Sequence, residues 1–484
     1  MKNLSRQQAP EGNSSSAIPN PGAILILAML IILTLALVSR AEMISLENEA
    51  PFKAGEIIVQ IDPSAKIENI TSYFGDRNMR PIKELSKRLH IWLVAYDYQN
   101  LKANEHRGVL QQVRDLAGVE LAQFNHAVKL RSTFPNDPQF SQQWAYNNTG
   151  QTGGVVDADI DAVEAWDIVP GGTTATGAQI VVAIIDGGFD LNHVDIDYWK
   201  NENEIPGNGI DDDGNGYVDD YDGWNAYSSN GTIPSSSHGT HVAGTAAAIG
   251  NNNTGVTGVN WGAQVMPIAG SSGSEATVVE AYGYVHEMRS LYNETDGAEG
   301  ALVVSTNSSF GVDYGNPASY PIWCGMYDSL GVIGILSAAA TANIGMNIDV
   351  QGDVPTACPS DYLISVTNTT DDDVRNSGAA YGLTTIDLGA PGTSILSTVP
   401  GNGYSSSTGT SMATPHVAGA VAFLYAAACE TFIDDYMNDP GTLALMIKDY
   451  ILNGVDIIPS LDGSTVSGGR LNLFNSTQSV LAYP

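Results

Sequence analysis

From residue 179 onward, apolar runs alternate with stretches rich in glycine and alanine. The runs at 180–185, 264–269, 301–305, 332–337 and 362–367 are continuous rather than alternating, as in strands covered on both faces. Between and after them, 238–249, 275–292, 411–429 and 440–452 have helical length and composition. Strands separated by helices need crossover connections, which predicts an α/β fold with a parallel sheet flanked by helices. A lead-in at 132–176 is rich in Gly, Asn and Gln and carries a short helix at 161–166. Residues 42–131 read differently. Strands at 56–61, 89–96 and 119–125 mix with helices at 66–74 and 104–117, which predicts a small α+β domain. In residues 1–41 the single apolar run, Ala23–Val38, is short for a membrane span and has the length of a signal-peptide core. Ser39-Arg40-Ala41 then offers the spaced small residues of a cleavage site. The long polar segment before the run leaves an uncleaved signal anchor as the alternative.

Charge sharpens the boundary at 131. The chain carries −33 overall, yet residues 42–131 hold twelve residues of each sign. Residues 132–484 hold five basic against forty acidic residues. Such a surface excludes nucleic acid and anionic membrane as partners. It suits a salty or calcium-containing medium, where self-repulsion is screened. Three cysteines show no zinc spacing. Cys324 and Cys358 flank one segment and are the expected disulfide pair. Cys429, at the end of the 411–429 helix, is expected as a buried small hydrophobe.

Three stretches carry chemistry. Gln179–Gly188 is an apolar strand ending in Asp186. Ser237-His238-Gly239-Thr240-His241 opens a helix of small residues. Gly409-Thr410-Ser411-Met412-Ala413-Thr414-Pro415-His416 opens another, with Pro415 expected in its first turn. A serine at a helix N-terminus is surrounded by free backbone N–H groups, the setting that a nucleophile generating an oxyanion needs. An N-cap serine is the plainer reading of that stretch alone. The order Asp, His, Ser is one of the known orders of the nucleophilic triad.

These three motifs, in this order, resemble those of the subtilisin-like serine proteases, and the likeness spans roughly residues 135–480. The resemblance implies Ser411 as nucleophile, His238 as base and Asp186 as its orienting carboxylate. His241 and His416, on the same helices, are then packing or hydrogen-bonding residues. Asn343 would supply the second oxyanion donor, although Ala342 stands where glycine is common. Ser309, Phe310 and Gly311 would pair with the bound peptide. Residues 42–131 take the place of a propeptide that assists folding and blocks the cleft, with processing near Lys129–Pro135.

Calcium is indicated twice. Asp211, Asp213 and Asn215, then the Tyr217 carbonyl, Asp219 and Asp222, fall at positions 1, 3, 5, 7, 9 and 12 of a loop with Gly216 at 6. The resemblance implies a second site from Asp195, the Asn252 side chain and the carbonyls of Gly250, Thr254 and Val256. The whole reads as a secreted, monomeric, calcium-stabilised endopeptidase made as a zymogen. Protein substrates and its own propeptide are its partners, with a membrane only if the anchor is kept. The alternatives are a tethered processing protease of narrow specificity and a catalytically inactive module that binds peptide or calcium.

Overall fold

Val181–Asp186 (β6) shows why the sheet is buried on both sides. Val182 and Ile184 face one apolar core, and Val181, Ala183 and Ile185 face the other. With a side-chain period of two, a strand serving two cores has no polar face to display. The computed structural model describes residues 43–46, 49–99, 101–102, 105–126 and 133–484, with backbone alone for 43–46 and 49–51. The apolar run at 23–38 and the Lys129–Ser132 part of the expected processing stretch lie outside these residues. The chain divides into two compact units after Arg131.

Among the described residues the first unit is a five-stranded antiparallel sheet with two α-helices. Glu49–Ile61 (β2) pairs with Met43–Leu46 (β1), Ile91–Ala95 (β4) and Val119–His126 (β5). Arg80–Ser86 (β3) forms the edge beyond β4. Ile67–Ser72 (α1) and Glu105–Arg114 (α2) supply Ile67, Ile70, Val109 and Val113 to a core with Phe52, Ile57 and Phe124. The sequence pattern misses β3, because an exposed edge strand with charges and a proline carries no apolar alternation.

In the second unit nine strands form one sheet. Its elements are β6, Trp224–Asn225 (β7), Gln264–Ala269 (β8), Val303–Ser308 (β9), Leu336–Ala340 (β11), Leu363–Thr369 (β13), Leu388–Pro391 (β14), Asp456–Ile457 (β17) and Gly469–Arg470 (β18). Their order is β17-β18-β14-β13-β11-β9-β6-β8-β7, parallel throughout except β17. Two short antiparallel pairs lie outside it, Val312–Asp313 (β10) with Asp353–Val354 (β12) and Ile395–Val399 (β15) with Gly403–Ser407 (β16). Ser237–Ala247 (α4) and Thr410–Ala427 (α7) contribute to one core. Glu275–Glu294 (α5) and Pro321–Val332 (α6) contribute to the other. Ala162–Trp166 (α3) and Leu473–Leu481 (α10) join the first core. β6 has β8 on one side and β9 on the other, and the chain reverses direction across the sheet between them. Ligand sites open at the carboxyl ends of strands at such a switch point.

Several expectations need correction. The strand expected at 332–337 runs from Leu336 to Ala340, because Val332 still belongs to α6 and Gly334 (φ 101°) makes the turn. The helix expected at 411–429 is α7 itself, Thr410–Ala427, and a separate short helix follows it. α7 ends at Ala427, and Glu430–Asn438 (α8) leaves at a 113° bend before Pro440–Gly454 (α9). Cys429 precedes α8 at that bend and is therefore exposed rather than buried. Pro415 is the sixth residue of α7, not part of its first turn. Cys324 on α6 and Cys358 are joined in a disulfide, with Cα atoms 5.3 Å apart. Among the described residues no single helix is long and apolar enough to cross a membrane.

Candidate active site

Asp186 is the last residue of β6 and is buried. One carboxylate oxygen accepts the Gly187 N–H at 2.7 Å, and the other meets His238 Nδ1 at 2.8 Å. His238 is the second residue of α4, with its side chain 45% exposed. The next residue has to be glycine. A Cβ at 239 would lie 2.2 Å from the Gly188 carbonyl oxygen and 2.9 Å from Asp186 Cβ. The helix can therefore start against the strand end only without a side chain there. Burial works against the imidazolium of His238, but the hydrogen bond and charge of Asp186 outweigh it, and the pKa rises. With Nδ1 committed to Asp186, Nε2 is the nitrogen left to act as base.

Ser411 is the second residue of α7. Its hydroxyl donates to the Ser309 carbonyl at 3.2 Å, and the Ser309 hydroxyl donates to the Ser411 carbonyl at 2.9 Å. Pro415 explains the second bond. Lacking an N–H, it leaves the carbonyl four residues earlier without its helical donor, and Ser309 replaces it. Asn307 Nδ2 donates in turn to the Ser309 hydroxyl at 3.0 Å. Among the described residues the Ser411 hydroxyl makes no hydrogen bond to His238. Such bonds commonly tighten only when substrate is bound.

Asn343 follows β11. Its side-chain oxygen accepts the Thr410 N–H at 3.0 Å and the Thr410 hydroxyl at 3.2 Å, which leaves its NH₂ group as the donor that neither bond uses. Ala342 is not among the residues with positive φ, so the departure from glycine strains nothing. His241 and His416 are buried against carbonyl oxygens, His241 on Ile395 and Ser405, His416 on Met412. Burial lowers both to a pKa of about 4, so they stay neutral.

Ser309, Phe310 and Gly311 leave β9 outside any strand and line a cavity of about 80 Å³ beside Ser411 and Asn343. Asp313 and Asp353 line it too. The sequence reading missed both, because neither belongs to a motif.

The acidic insertion folds differently from its linear spacing. Asp211 turns inward to accept the N–H groups of Gly214, Asn215 and Gly216. Asp219 accepts those of Asn208 and Gly209, and Asp222 pairs with Lys200. Tyr217 packs its ring on Trp224 and Tyr284. The carboxylates that converge are Glu204, Asp213 and Asp220, with ligand atoms within 4.8 Å of one another. The amides of Asn201 and Asn215 each bridge Asp213 and Asp220. Burial, chiefly, raises Asp220 to about 6 and also raises Glu204. Of the expected set, Asp213 and Asn215 thus reach the cluster, while Asp211, Asp219 and Asp222 are engaged elsewhere.

At the second loop, Asp195 is fully buried and accepts Asn252 Nδ2 at 2.7 Å and the Val256 N–H at 3.0 Å. Gly250 and Thr254 stand in the same loop, and Thr254 N–H bonds to the Asn252 side-chain oxygen. Asp137, unremarked in the sequence, accepts the N–H groups of Asn251 and Asn252 at 2.7 and 3.2 Å. Burial raises the pKa of both carboxyls, and the charge of Asp137 raises Asp195 further.

A model of the subtilase family matches residues 177–454. The extracellular protease of Xanthomonas campestris is 33% identical over 342 residues, covering 65% of this chain and 52% of that protein. Thermitase of Thermoactinomyces vulgaris is 30% identical over 352 residues, covering 71% of this chain and 99% of that protein. The chain thus spans about half the length of the first relative and nearly all of the second. A solved structure of proteases from Pseudoalteromonas arctica superposes with a TM-score of 0.50 at 23% identity, covering 72% of this chain and all of that one. That likeness concerns the fold.

Proposed function

The chain belongs to the subtilase family, and from that premise we propose that it is a secreted serine endopeptidase made as a zymogen. The observation that carries the reading is the 2.8 Å contact of Asp186 with His238 at the carboxyl end of the sheet, beside a serine in the first turn of α7. In this reading His238 Nε2 takes the proton of Ser411 as its oxygen attacks the scissile carbonyl. Asp186 holds the imidazole tautomer and stabilises the imidazolium. The Ser411 N–H, in a helical turn with no i−4 carbonyl, and Asn343 Nδ2 stabilise the oxyanion. His238 then returns the proton to the leaving amine, and water hydrolyses the acyl-enzyme by the same steps in reverse order. Ser309 to Gly311 pair with the substrate backbone, which gives affinity with little sequence preference.

Residues 42–131 act as propeptide and residues 1–41 as the export signal. Glu204, Asp213 and Asp220, with Asn215 beside them, and Asp195 with Asp137 would hold structural calcium. In the second site Asn252 would turn its amide to offer oxygen rather than nitrogen. Oxygen-only donors suit a hard cation. The test is the intact mass of the exported protein beside its Ser411→Ala variant, in calcium. Loss of about the first 130 residues (roughly one compact unit) by the wild type alone supports the reading. Retention of residues 42–131 by both counts against self-processing.

A further inference from the structure

The cavity beside Ser411 is acidic at its wall. β10 and β12 pair antiparallel with Asp313 opposite Asp353, and both residues line the cavity with Ala340, Thr341 and Ala342. Asp353 is 1% exposed. One of its oxygens is held by the Thr356 hydroxyl. The Thr341 hydroxyl, in the same wall, is buried with no hydrogen-bond partner among the described residues. A buried carboxylate facing a second one calls for a counter-charge. Among the described residues no lysine or arginine of this unit pairs with Asp313 or Asp353. Its lysines and arginines are Lys200, on Asp222; Arg289, on the Val303 carbonyl and Tyr436; Arg375, on the Ala379 carbonyl; Lys448, on Asp387; and Arg470, on Asp373 and Asp456. The unit therefore supplies no counter-charge at this wall.

We infer that this cavity selects a basic side chain, lysine or arginine, on the residue preceding the scissile bond. The inference rests on the peptidase reading and names its substrate class. Ala340, Ala342 and Phe310 would cover the aliphatic stem while the charged head meets Asp353 and Asp313. The acidic wall is held in place. The Asp353 carbonyl accepts the Ala357 N–H at 3.0 Å, and Cys358 ties the segment to α6. Burial, with the charge of Asp313, leaves Asp353 at a pKa of about 6, so an arriving cation relieves a strained ionisation. The stretch Lys129–Pro135 holds two residues of the selected kind, Lys129 and Arg131.

The test uses the mature enzyme, with active sites counted by fluorophosphonate labelling. kcat/KM is measured on one peptide bearing Lys, Arg, norleucine or Glu before the cleaved bond. Lys and Arg should exceed norleucine by about tenfold or more, with Glu last. Asp353→Asn should lower the Lys-to-norleucine ratio by about 30-fold. Asp313→Lys, at an exposed position that tolerates change, supplies an internal cation and should collapse the ratio should Asp353→Asn fail to fold. Preference for norleucine over Lys in the wild type, or a ratio unmoved by the variants, overturns the inference while the peptidase reading stands. Cleavage of no peptide together with no label overturns both.

Discussion

At the scale of single residues, the site depends on where protons sit. The folded-state pKa of His238 is raised, so the stability contributed by its pairing with Asp186 is full below the ordinary value near 6.5 and is lost as pH rises through the raised value. Catalysis has the opposite sign, because the base must be neutral. kcat/KM should therefore climb with pH along a limb centred above about 6.5, and Asp186→Asn should move that limb down and cut kcat by about 10⁴. A pH profile of both forms checks this, and a limb unmoved by the substitution counts against the pairing. Asn343→Ala should lower kcat by about 10²–10³ with little change in KM. Ser309→Ala removes the donor on the Ser411 carbonyl and should destabilise by about 1–3 kcal/mol, read from the denaturant midpoint. Asp186, His238 and Ser411 were legible because the motifs that hold them are long. Asp313 and Asp353 were not, since only the pairing of two dipeptide strands far apart in sequence brings them together.

At the scale of elements, legibility followed side-chain bulk. β6, Val-Val-Ala-Ile-Ile-Asp, announces itself, whereas β11, Leu-Ser-Ala-Ala-Ala, is set by its neighbours on both sides. The acidic loop at 211–222 shows a different limit. Linear spacing selects side chains by position, but left-handed turns at Gly214, Gly216 and Asp219 redirect them, and Glu204 enters from outside the motif. Two elements can be tested by covalent change. Gly239→Ala forces α4 off Asp186 and should destabilise by about 1–3 kcal/mol while lowering kcat, a pairing that a helix-propensity effect alone would not produce. Reduction of Cys324–Cys358 opens a segment with a sequence separation of 34 and should destabilise by about 3–4 kcal/mol, read from denaturant midpoints with and without reductant.

At the scale of the molecule, charge dominates. Forty acidic residues face five basic ones in residues 132–484, so salt and divalent cations should both stabilise the chain. The sign of the pH dependence follows from Asp220. Its folded pKa, about 6, lies above its unfolded value near 4, so the calcium-free protein should lose stability as pH rises through this window. Calcium should remove that loss by binding the ionised cluster. Thermal scans from pH 4 to 7 with calcium or with chelator check it, and parallel curves would count against a site at Glu204, Asp213 and Asp220. The central claim, that Ser411 is a nucleophile activated by His238 and Asp186, is met most directly by fluorophosphonate labelling followed by peptide mapping. One label per folded molecule is expected, on Ser411, and it should be lost in His238→Ala. A folded wild-type protein that takes no label, or takes it at another residue, contradicts the account.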